Sequence, residues 1–169
     1  MIDPPETPRL VAERLLPDHH DVLCTLLGDP RVGATLGGAM SPEEVATGLA
    51  SKLDHWDRHG FGYWLWRERA TGDVVARGGL QRTHVGGRDE VELGYAVMPE
   101  RWGEGFATEL GDAALRVAFD VLELADVVAY TLPHNRASRR VMEKLGMELE
   151  REIVHAGLPH VLYRRAAAV

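Results

Sequence analysis

The 169-residue sequence contains one cysteine, Cys24, which excludes an internal disulfide and a metal site built from several thiolates. It also lacks an apolar run of the ~18 residues needed to cross a bilayer. The first residues, Met1–Pro8, have no apolar core and do not resemble a signal peptide. These absences lead us to expect a cytoplasmic protein with no membrane partner, in which residues 1–8 form a flexible N-terminal segment.

Basic residues are scarce as well, since 19 lysines and arginines stand against 26 aspartates and glutamates, for a formal net charge of −7. A nucleic-acid-binding protein usually carries a basic stripe, so we expect no nucleic-acid partner. Any polyanion must instead be bound through local donors such as backbone amides and a few arginines. The remaining composition, 45% hydrophobic and 27% charged, is typical of a single folded domain, here residues 1–169.

Hydrophobic periodicity and turn signals predict an alternation of strands and helices. The predicted strands are Leu10–Leu15, Phe61–Arg67, Val74–Thr83, Val91–Met98, Val127–Leu132, Leu149–Val154 and His160–Arg164. Helices are predicted over about 17–27, 42–59, 108–122 and 135–145, and the segment between Gly28 and Ser41 is predicted to be a loop. This order predicts a single α/β domain with one mixed, mostly antiparallel central sheet of about seven strands and four helices.

One turn in this order is a candidate anion site. Residues 91–132 are predicted to form a strand, a helix and a parallel strand with a right-handed crossover. The turn before that helix contains Gly103, Gly105 and Ala107, small residues that let a ligand approach the backbone closely. The helix start adds unpaired N–H groups and a positive dipole end, which together suit a pyrophosphate. A tight turn that merely requires glycine explains the spacing equally well.

Two common phosphate-binding motifs are excluded at this turn. The P-loop pattern G-x-x-x-x-G-K-[ST] is absent from the chain. A dinucleotide fingerprint requires a third small residue at a fixed place after Gly103 and Gly105, and it is missing.

Three segments resemble motifs of the GNAT superfamily of N-acetyltransferases, in particular its RimJ/RimL-like branch, named for enzymes that acetylate ribosomal-protein N-termini. Glu92–Leu110, E-L-G-Y-A-V-M-P-E-R-W-G-E-G-F-A-T-E-L, resembles the acyl-CoA-binding motif. Thr7–Leu10 resembles the opening T-x-R-L strand, and Asn135–Ser138 with Glu143–Met147 resembles the second conserved helix. The resemblance covers nearly the whole chain, and it implies a GNAT-like fold that uses acetyl-CoA as a cosubstrate and needs no metal.

The chain departs from the superfamily pattern at three positions. Trp102 stands where many members have arginine or glutamine, although the form W-G-x-G-x-A is usual in the RimJ/RimL-like branch. Met147 replaces a phenylalanine, which we expect to affect packing alone. Met142 occupies the position of a tyrosine acid found in many members, so a tyrosine cannot act as the acid there.

The resemblance implies where acetyl-CoA binds. Backbone N–H groups of the glycine turn are expected to hold the pyrophosphate, and the strand before it to pair with the pantetheine arm. A backbone amide near Val97 and Met98 is expected to polarise the thioester carbonyl. The residues predicted to bind the cosubstrate are Val97, Met98, Trp102, Gly103, Gly105, Phe106, Ala107, Thr108, Asn135, Ser138 and Arg139.

The resemblance also implies direct transfer of the acetyl group, which requires a general base for the amine and an acid for the thiolate. Glu92 is the preferred base, because Gly94 and Ala96 on the same strand face leave room for a ligand. A solvent-facing glutamate is an equally good interpretation of Glu92. Glu90 and His134 are weaker alternatives as the base.

Ser138 is predicted to donate its hydroxyl proton toward the sulfur of coenzyme A, with a small polar residue in the first helical turn as the alternative. Asn135 is predicted to cap the same helix and contact the cosubstrate. His55 and His59 have a spacing that suits zinc, but no third ligand is evident.

The predicted function is N-acetylation of a primary amine, and a protein N-terminal α-amine is one possible acceptor. An amino sugar, a polyamine and a drug amine stay open as alternatives. A non-catalytic acyl-CoA sensor on the same fold is the competing function. The branch commonly dimerises, so a homodimer is a further expectation.

Overall fold

The computed structural model describes residues 2–169; Met1, which belongs to the predicted domain and N-terminal segment, lies outside the described residues. The strands are β1 (Leu10–Arg14), β2 (Tyr63–Glu68), β3 (Val74–Val85), β4 (Arg88–Val97), β5 (Asp126–Thr131), β6 (Glu148–His155) and β7 (Leu158–Ala166). The α-helices in this part of the chain are α1 (His20–Leu27), α2 (Pro30–Leu36), α3 (Pro42–His59), α4 (Phe106–Arg116) and α5 (Arg136–Lys144).

The strands form one mixed sheet in the order β1-β2-β3-β4-β5-β7-β6, which confirms the predicted fold class. All neighbours are antiparallel except β4 and β5, which are joined by the α4 crossover and run parallel. No helix within residues 2–169 is long and apolar enough to cross a bilayer.

The prediction of four helices is wrong by one, because α2 lies in the segment expected to be a loop. The Asp29 side chain caps this helix by accepting from the Arg31 N–H, and Pro30 occupies the first helical position. The helix has only seven residues and includes Gly33, so it is too short to show a recognisable hydrophobic period. Gly37, in the left-handed conformation with a φ of 87°, ends it.

The described part of the N-terminal segment, residues 2–8, is bonded to the domain. The Ile2 N–H donates to the Gly60 carbonyl at 3.4 Å, and the Thr7 N–H donates to the Leu10 carbonyl at 3.0 Å. Thr7 is buried, and Glu6 forms an isolated β-bridge with Val11. The flexibility expected of residues 1–8 stays a prediction. The described residues 2–8 make several contacts that anchor the segment to the domain.

The helices divide between the two faces of the sheet. On one face, α4 and α5 cover a core that contains Trp64, Trp66 and Tyr163. On the other face, α1 and α3 cover a second cluster around Leu65 and Tyr63. Side chains alternate along a strand, so β2, β3 and β4 each contribute to both clusters.

The parallel strands β4 and β5 pair at one position, Glu92 with Val128. Beyond that pair β4 continues to Val97 and β5 to Thr131 without further pairing, so the strands diverge toward their carboxyl ends. In open α/β sheets, ligands bind in such a crevice at the carboxyl ends of parallel strands. We refer to the space between the diverging strands as the β4–β5 gap.

His55 ties α3 to the sheet with both ring nitrogens. Its Nε2 accepts from the Arg82 N–H at 2.9 Å, so Nδ1 carries the proton and donates to the Phe61 carbonyl at 2.9 Å. The zinc pairing with His59 is therefore unavailable, although the two rings lie 4.6 Å apart. Burial, followed by the neighbouring His59, lowers the pKa of His55, which favours this neutral form.

We expect the stability contributed by His55 to depend on pH. Its pKa is lower in the folded chain than in the unfolded chain, so the contribution is present above about pH 6.5 and lost as the pH falls. His55→Leu should lower the free energy of unfolding by about 1–2 kcal/mol at pH 7.5 and by much less at pH 5. Urea unfolding at both pH values measures this. The matched control is His59→Leu at the exposed neighbouring ring, and equal losses at both pH values in His55→Leu would contradict the assignment.

Candidate active site

The turn between β4 and α4 presents unpaired backbone donors. After a single 3-10 turn at Pro99–Arg101, Gly103 and Gly105 adopt φ values of 80° and 84°, which side chains rarely tolerate. Gly105 caps α4 without a side-chain hydrogen bond, and the Glu109 N–H donates to the Gly105 carbonyl at 3.0 Å. The N–H groups of residues 106–108 therefore point outward from the helix start, where an anion is favourably bound.

Arg9 holds this turn to the N-terminal strand. Its backbone N–H and Nε donate to the two carboxylate oxygens of Glu109 at 2.9 and 2.7 Å, and its guanidinium donates to the Glu104 carbonyl at 2.9 Å. The Thr7 hydroxyl donates to Glu109 at 2.5 Å, and the Arg9 guanidinium lies 4.3 Å from the centre of the Phe106 ring. The T-x-R-L segment thus fixes the first turn of α4.

Arg101 compensates the acidic side chains of the turn. Its guanidinium binds both oxygens of Glu68 at 2.9 Å and also binds Glu104 at 2.7 Å. These hydrogen bonds lower the pKa of both carboxyl groups. Glu104 is therefore paired with a cation rather than left as an isolated negative charge beside the anion-binding turn.

The backbone of β4 distinguishes Val97 from Met98. The Met98 N–H donates to the Val75 carbonyl at 2.8 Å, so it points into the sheet. Hydrogen-bonding direction alternates along an antiparallel strand, so the Val97 and Tyr95 N–H groups point into the β4–β5 gap. Of the two positions near which an amide was expected to polarise the thioester, Val97 presents its N–H to the gap, whereas the Met98 N–H is used by strand β3. Trp102 is half-exposed, and its indole N–H donates to the Val97 carbonyl at 2.9 Å.

The start of α5 faces β4 across the same gap. Asn135 is confirmed as the helix cap, since its Oδ1 accepts from the Ser138 N–H at 3.2 Å, and its amide also donates to the Thr131 hydroxyl at 3.1 Å. The Ser138 Oγ lies 2.9 Å from the Tyr95 hydroxyl. Burial raises the pKa of Tyr95 to about 12, so it stays a neutral hydroxyl. Sequence reasoning missed Tyr95, although it lies inside the recognised motif.

Three other candidates lie in different surroundings. Arg139 donates to the Tyr163 hydroxyl at 3.1 Å and to the Pro133 carbonyl at 3.0 Å, so its described partners are protein groups beside β7. His134 is exposed, with Nε2 3.4 Å from the Ala34 carbonyl. Glu90 is paired with Arg164 at 2.7 Å. None of these three side chains forms a described hydrogen bond with Glu92.

Glu92 is a buried carboxylate at the base of the gap, with 7% of its surface exposed, so the interpretation of a solvent-facing glutamate is wrong. Its Oε1 accepts from the Tyr63 hydroxyl at 3.3 Å and from the Gln81 amide. Tyr130 interacts with the same carboxylate from β5. Burial and the charge of Glu92 raise the pKa of both tyrosines, so they act as neutral donors.

The space beside Gly94 is occupied by Tyr63. A Cβ at Gly94 would lie 1.8 Å from the Tyr63 hydroxyl oxygen, so only glycine lets this side chain reach Glu92. The expectation that Gly94 leaves room for a ligand is therefore wrong on this face. The contact follows from the strand register, which pairs Tyr63 with Gly79 and Gly79 with Gly94 and so places two glycines beside one tyrosine.

A family model described as an acetyltransferase (GNAT) domain matches residues 9–148, and the chain belongs to this family. It is thus an N-acetyltransferase, and the family's acetylation depends on acetyl-CoA. One curated relative, the uncharacterized protein YkkB of Bacillus subtilis, is 26% identical over 140 residues, which cover 83% of this chain and 81% of that protein.

Solved structures show the same fold. A putative GNAT-family acetyltransferase from Bordetella pertussis superimposes with a TM-score of 0.84 at 23% identity, covering 98% of this chain and 100% of that chain. The RimL ribosomal L7/L12 α-N-protein acetyltransferase in complex with coenzyme A gives a TM-score of 0.76 at 17% identity, covering 96% and 97%. The presence of coenzyme A in that neighbour agrees with acetyl-CoA as the cosubstrate.

Proposed function

We propose that this acetyltransferase belongs to the RimJ/RimL-like branch and transfers the acetyl group directly to a primary amine, with a protein N-terminal α-amine as the preferred acceptor. The observation that carries the proposal is the buried Glu92 carboxylate, which lies where β4 and β5 begin to diverge. The motif resemblance from Thr7 to about Arg164 supports the branch. A cytoplasmic location and a homodimer stay predictions.

Acetyl-CoA fits the donors of the turn and of β4. The pyrophosphate would accept from the N–H groups at the start of α4, with Gly103 and Gly105 allowing close approach. The pantetheine arm would pair with the outward-facing backbone of Tyr95 and Val97 in the gap. This arrangement brings the thioester toward Ser138 on one side and Glu92 on the other.

Transfer requires the amine nitrogen to lose two protons and the sulfur to gain one. Glu92 accepts the first proton from the ammonium, directly or through water, and the neutral amine attacks the thioester carbonyl. The carbon–nitrogen bond forms, the carbon–sulfur bond breaks, and the departing thiolate receives the Ser138 hydroxyl proton. The second proton lost by the nitrogen returns to Ser138, directly or through water, so the hydroxyl is restored. Tyr95 holds Ser138 at 2.9 Å and supports that orientation.

The preference for an α-amine follows from its basicity. A free α-amino group has a pKa near ~8 and a lysine side chain near ~10, so at neutral pH the α-amine requires less help from a base. A single buried carboxylate whose described hydrogen-bond partners are neutral donors is suited to that smaller demand. A non-catalytic sensor would need the turn but would have no use for Glu92.

The acceptor class is tested with four amines, and acetyl-CoA consumption is followed by thiol release. The panel contains a lysine-free hexapeptide with a free α-amine, the same peptide formylated at its N-terminus with one lysine added, spermidine, and an aminoglycoside. We expect the free α-amine peptide to give the highest kcat/KM. A tenfold preference for another amine would overturn the acceptor class, and binding of coenzyme A without accelerated thiol release would favour the sensor.

Glu92→Gln should lower kcat/KM for the α-amine peptide by about 100-fold at pH 6.5, where the amine is mostly protonated. The loss should shrink as the pH rises through 9, because the amine is then already neutral. The pH–rate profile measures this. The matched control is Glu90→Gln, which removes a carboxylate two residues away that is paired with Arg164. An equal loss at every pH in Glu92→Gln would reassign the base.

Gly103→Asp should weaken coenzyme A binding at least tenfold relative to Gly103→Asn, because the added carboxylate opposes the pyrophosphate. Aspartate and asparagine have nearly the same size and tolerate a positive φ similarly, so the difference in affinity between the two variants reports the effect of the charge. Gly103 suits the test because a Cβ there meets open space, whereas a Cβ at Gly105 would lie 3.5 Å from the Arg9 guanidinium. Calorimetry measures both affinities, and equal values would exclude the turn as the pyrophosphate site.

A further inference from the structure

Lys52 lies on α3 and faces the site from the side opposite α4. It is one of only two lysines in the chain. Its ammonium donates to the Gln81 Oε1 and lies 4.4 Å from the centre of the Tyr63 ring. Burial, and then the charge of Arg77, lower the pKa of Lys52 to about 8, so at neutral pH most molecules carry the ammonium.

Lys52 determines which way the Gln81 carboxamide points. A carboxamide has an accepting oxygen at one end and a donating NH₂ at the other, and rotation by half a turn exchanges them. An ammonium only donates, so it requires the Gln81 oxygen and turns the NH₂ group toward Glu92. Gln81 and Glu92 are direct cross-strand partners on β3 and β4, so the backbone already places them side by side.

Both described donors to Glu92 from this face bind the same oxygen. The Gln81 amide and the Tyr63 hydroxyl donate to Oε1, which fixes the plane of the carboxylate. Hydrogen bonds that run from Lys52 through Gln81 to Glu92 therefore begin on a helix outside the recognised motif. At both contacts the carboxylate oxygen is the acceptor.

We propose that Lys52 and Gln81 are positioning residues that hold Oε1 of Glu92, so that Oε2 receives the proton of the acceptor amine. Lys52 acts by orienting Gln81 and not by touching the substrate. The proposal rests on the proposed role of Glu92 as the base. It adds a requirement to that role, because a Glu92 carboxylate that lost the Gln81 donor would spend less time in the productive orientation.

Charge alone is the competing explanation, because several groups face Glu92. The titratable and charged groups around it are Lys52 on α3, Tyr63 on β2, Arg77 on β3, Tyr130 on β5 and His155 on β6. Replacing Lys52 with an uncharged residue also removes a positive charge from the surroundings of Glu92. The experiment must therefore separate orientation through Gln81 from a direct electrostatic effect on Glu92.

A double-mutant cycle makes that separation. Lys52→Met, Gln81→Met and the double variant are compared by kcat/KM for the free α-amine hexapeptide between pH 6 and 9.5. Each single variant should lose about tenfold at pH 7, and the double variant should lose little more than Gln81→Met alone. The loss should appear in kcat more than in KM, and calorimetric affinity for coenzyme A should be unchanged. Lys144→Met, at the only other lysine, should leave the rate unchanged.

Two further variants keep the test valid if the apolar changes disturb folding. Gln81→Glu still accepts from Lys52 but cannot donate to Glu92, so it should lose at least as much activity as Gln81→Met. Lys52→Arg still donates toward Gln81, so this variant should keep most of the wild-type rate that Lys52→Met loses. Losses that multiply in the double variant, or an active Gln81→Glu, would overturn the proposal. If Glu92→Gln left kcat/KM unchanged, that result would instead overturn the proposed base, regardless of the activity of the Lys52 variants.

Discussion

The divergence of β4 from β5 is the constraint on which the site depends. One pair, Glu92 with Val128, holds the parallel strands together, and beyond it the edge of β4 that faces β5 has no paired strand. An unpaired strand edge inside a domain is costly unless something bonds to it. The same divergence opens the crevice between the start of α4 and the start of α5. A cosubstrate that paired with β4, as proposed above, would satisfy this edge.

A chain with a net charge of −7 binds a polyanion by local arrangement of its charges. The acidic residues near the turn are held by Arg9 and Arg101, so the exposed groups at the helix start are backbone N–H donors. Much of this neutralisation comes from the segment before β1, which is distant in sequence. The opening T-x-R-L segment therefore has a physical role in fixing the first turn of α4.

The proposed base and the proposed acid lie on opposite faces of the sheet. Side chains alternate along β4, so Glu92 faces the α1 and α3 side while Tyr95 faces α5. The thioester, lying at the edge between them, would meet the proposed base from one face and Ser138 from the other. Because the thioester would lie at the edge between the two faces, the proposed proton acceptor and the proposed proton donor stay apart. It also leaves Glu92 to be organised by α3, β2 and β3 rather than by the cosubstrate turn.

The sequence by itself determined the seven strands, four of the five α-helices in residues 2–169, the glycine turn and the cap of α5, because these signals lie within a few residues of one another. It also singled out Glu92 as a candidate base, because this residue lies within a contiguous motif. Only the tertiary structure decided that the Met98 amide is used by β3, that Tyr63 fills the space beside Gly94, and that Lys52 and Gln81 reach Glu92. The reason is that strand register and helix packing choose which distant side chains meet, and no local pattern records that choice. The short helix α2 escaped prediction for a different reason, since its two turns are stabilised by a cap and by contacts rather than by a hydrophobic period.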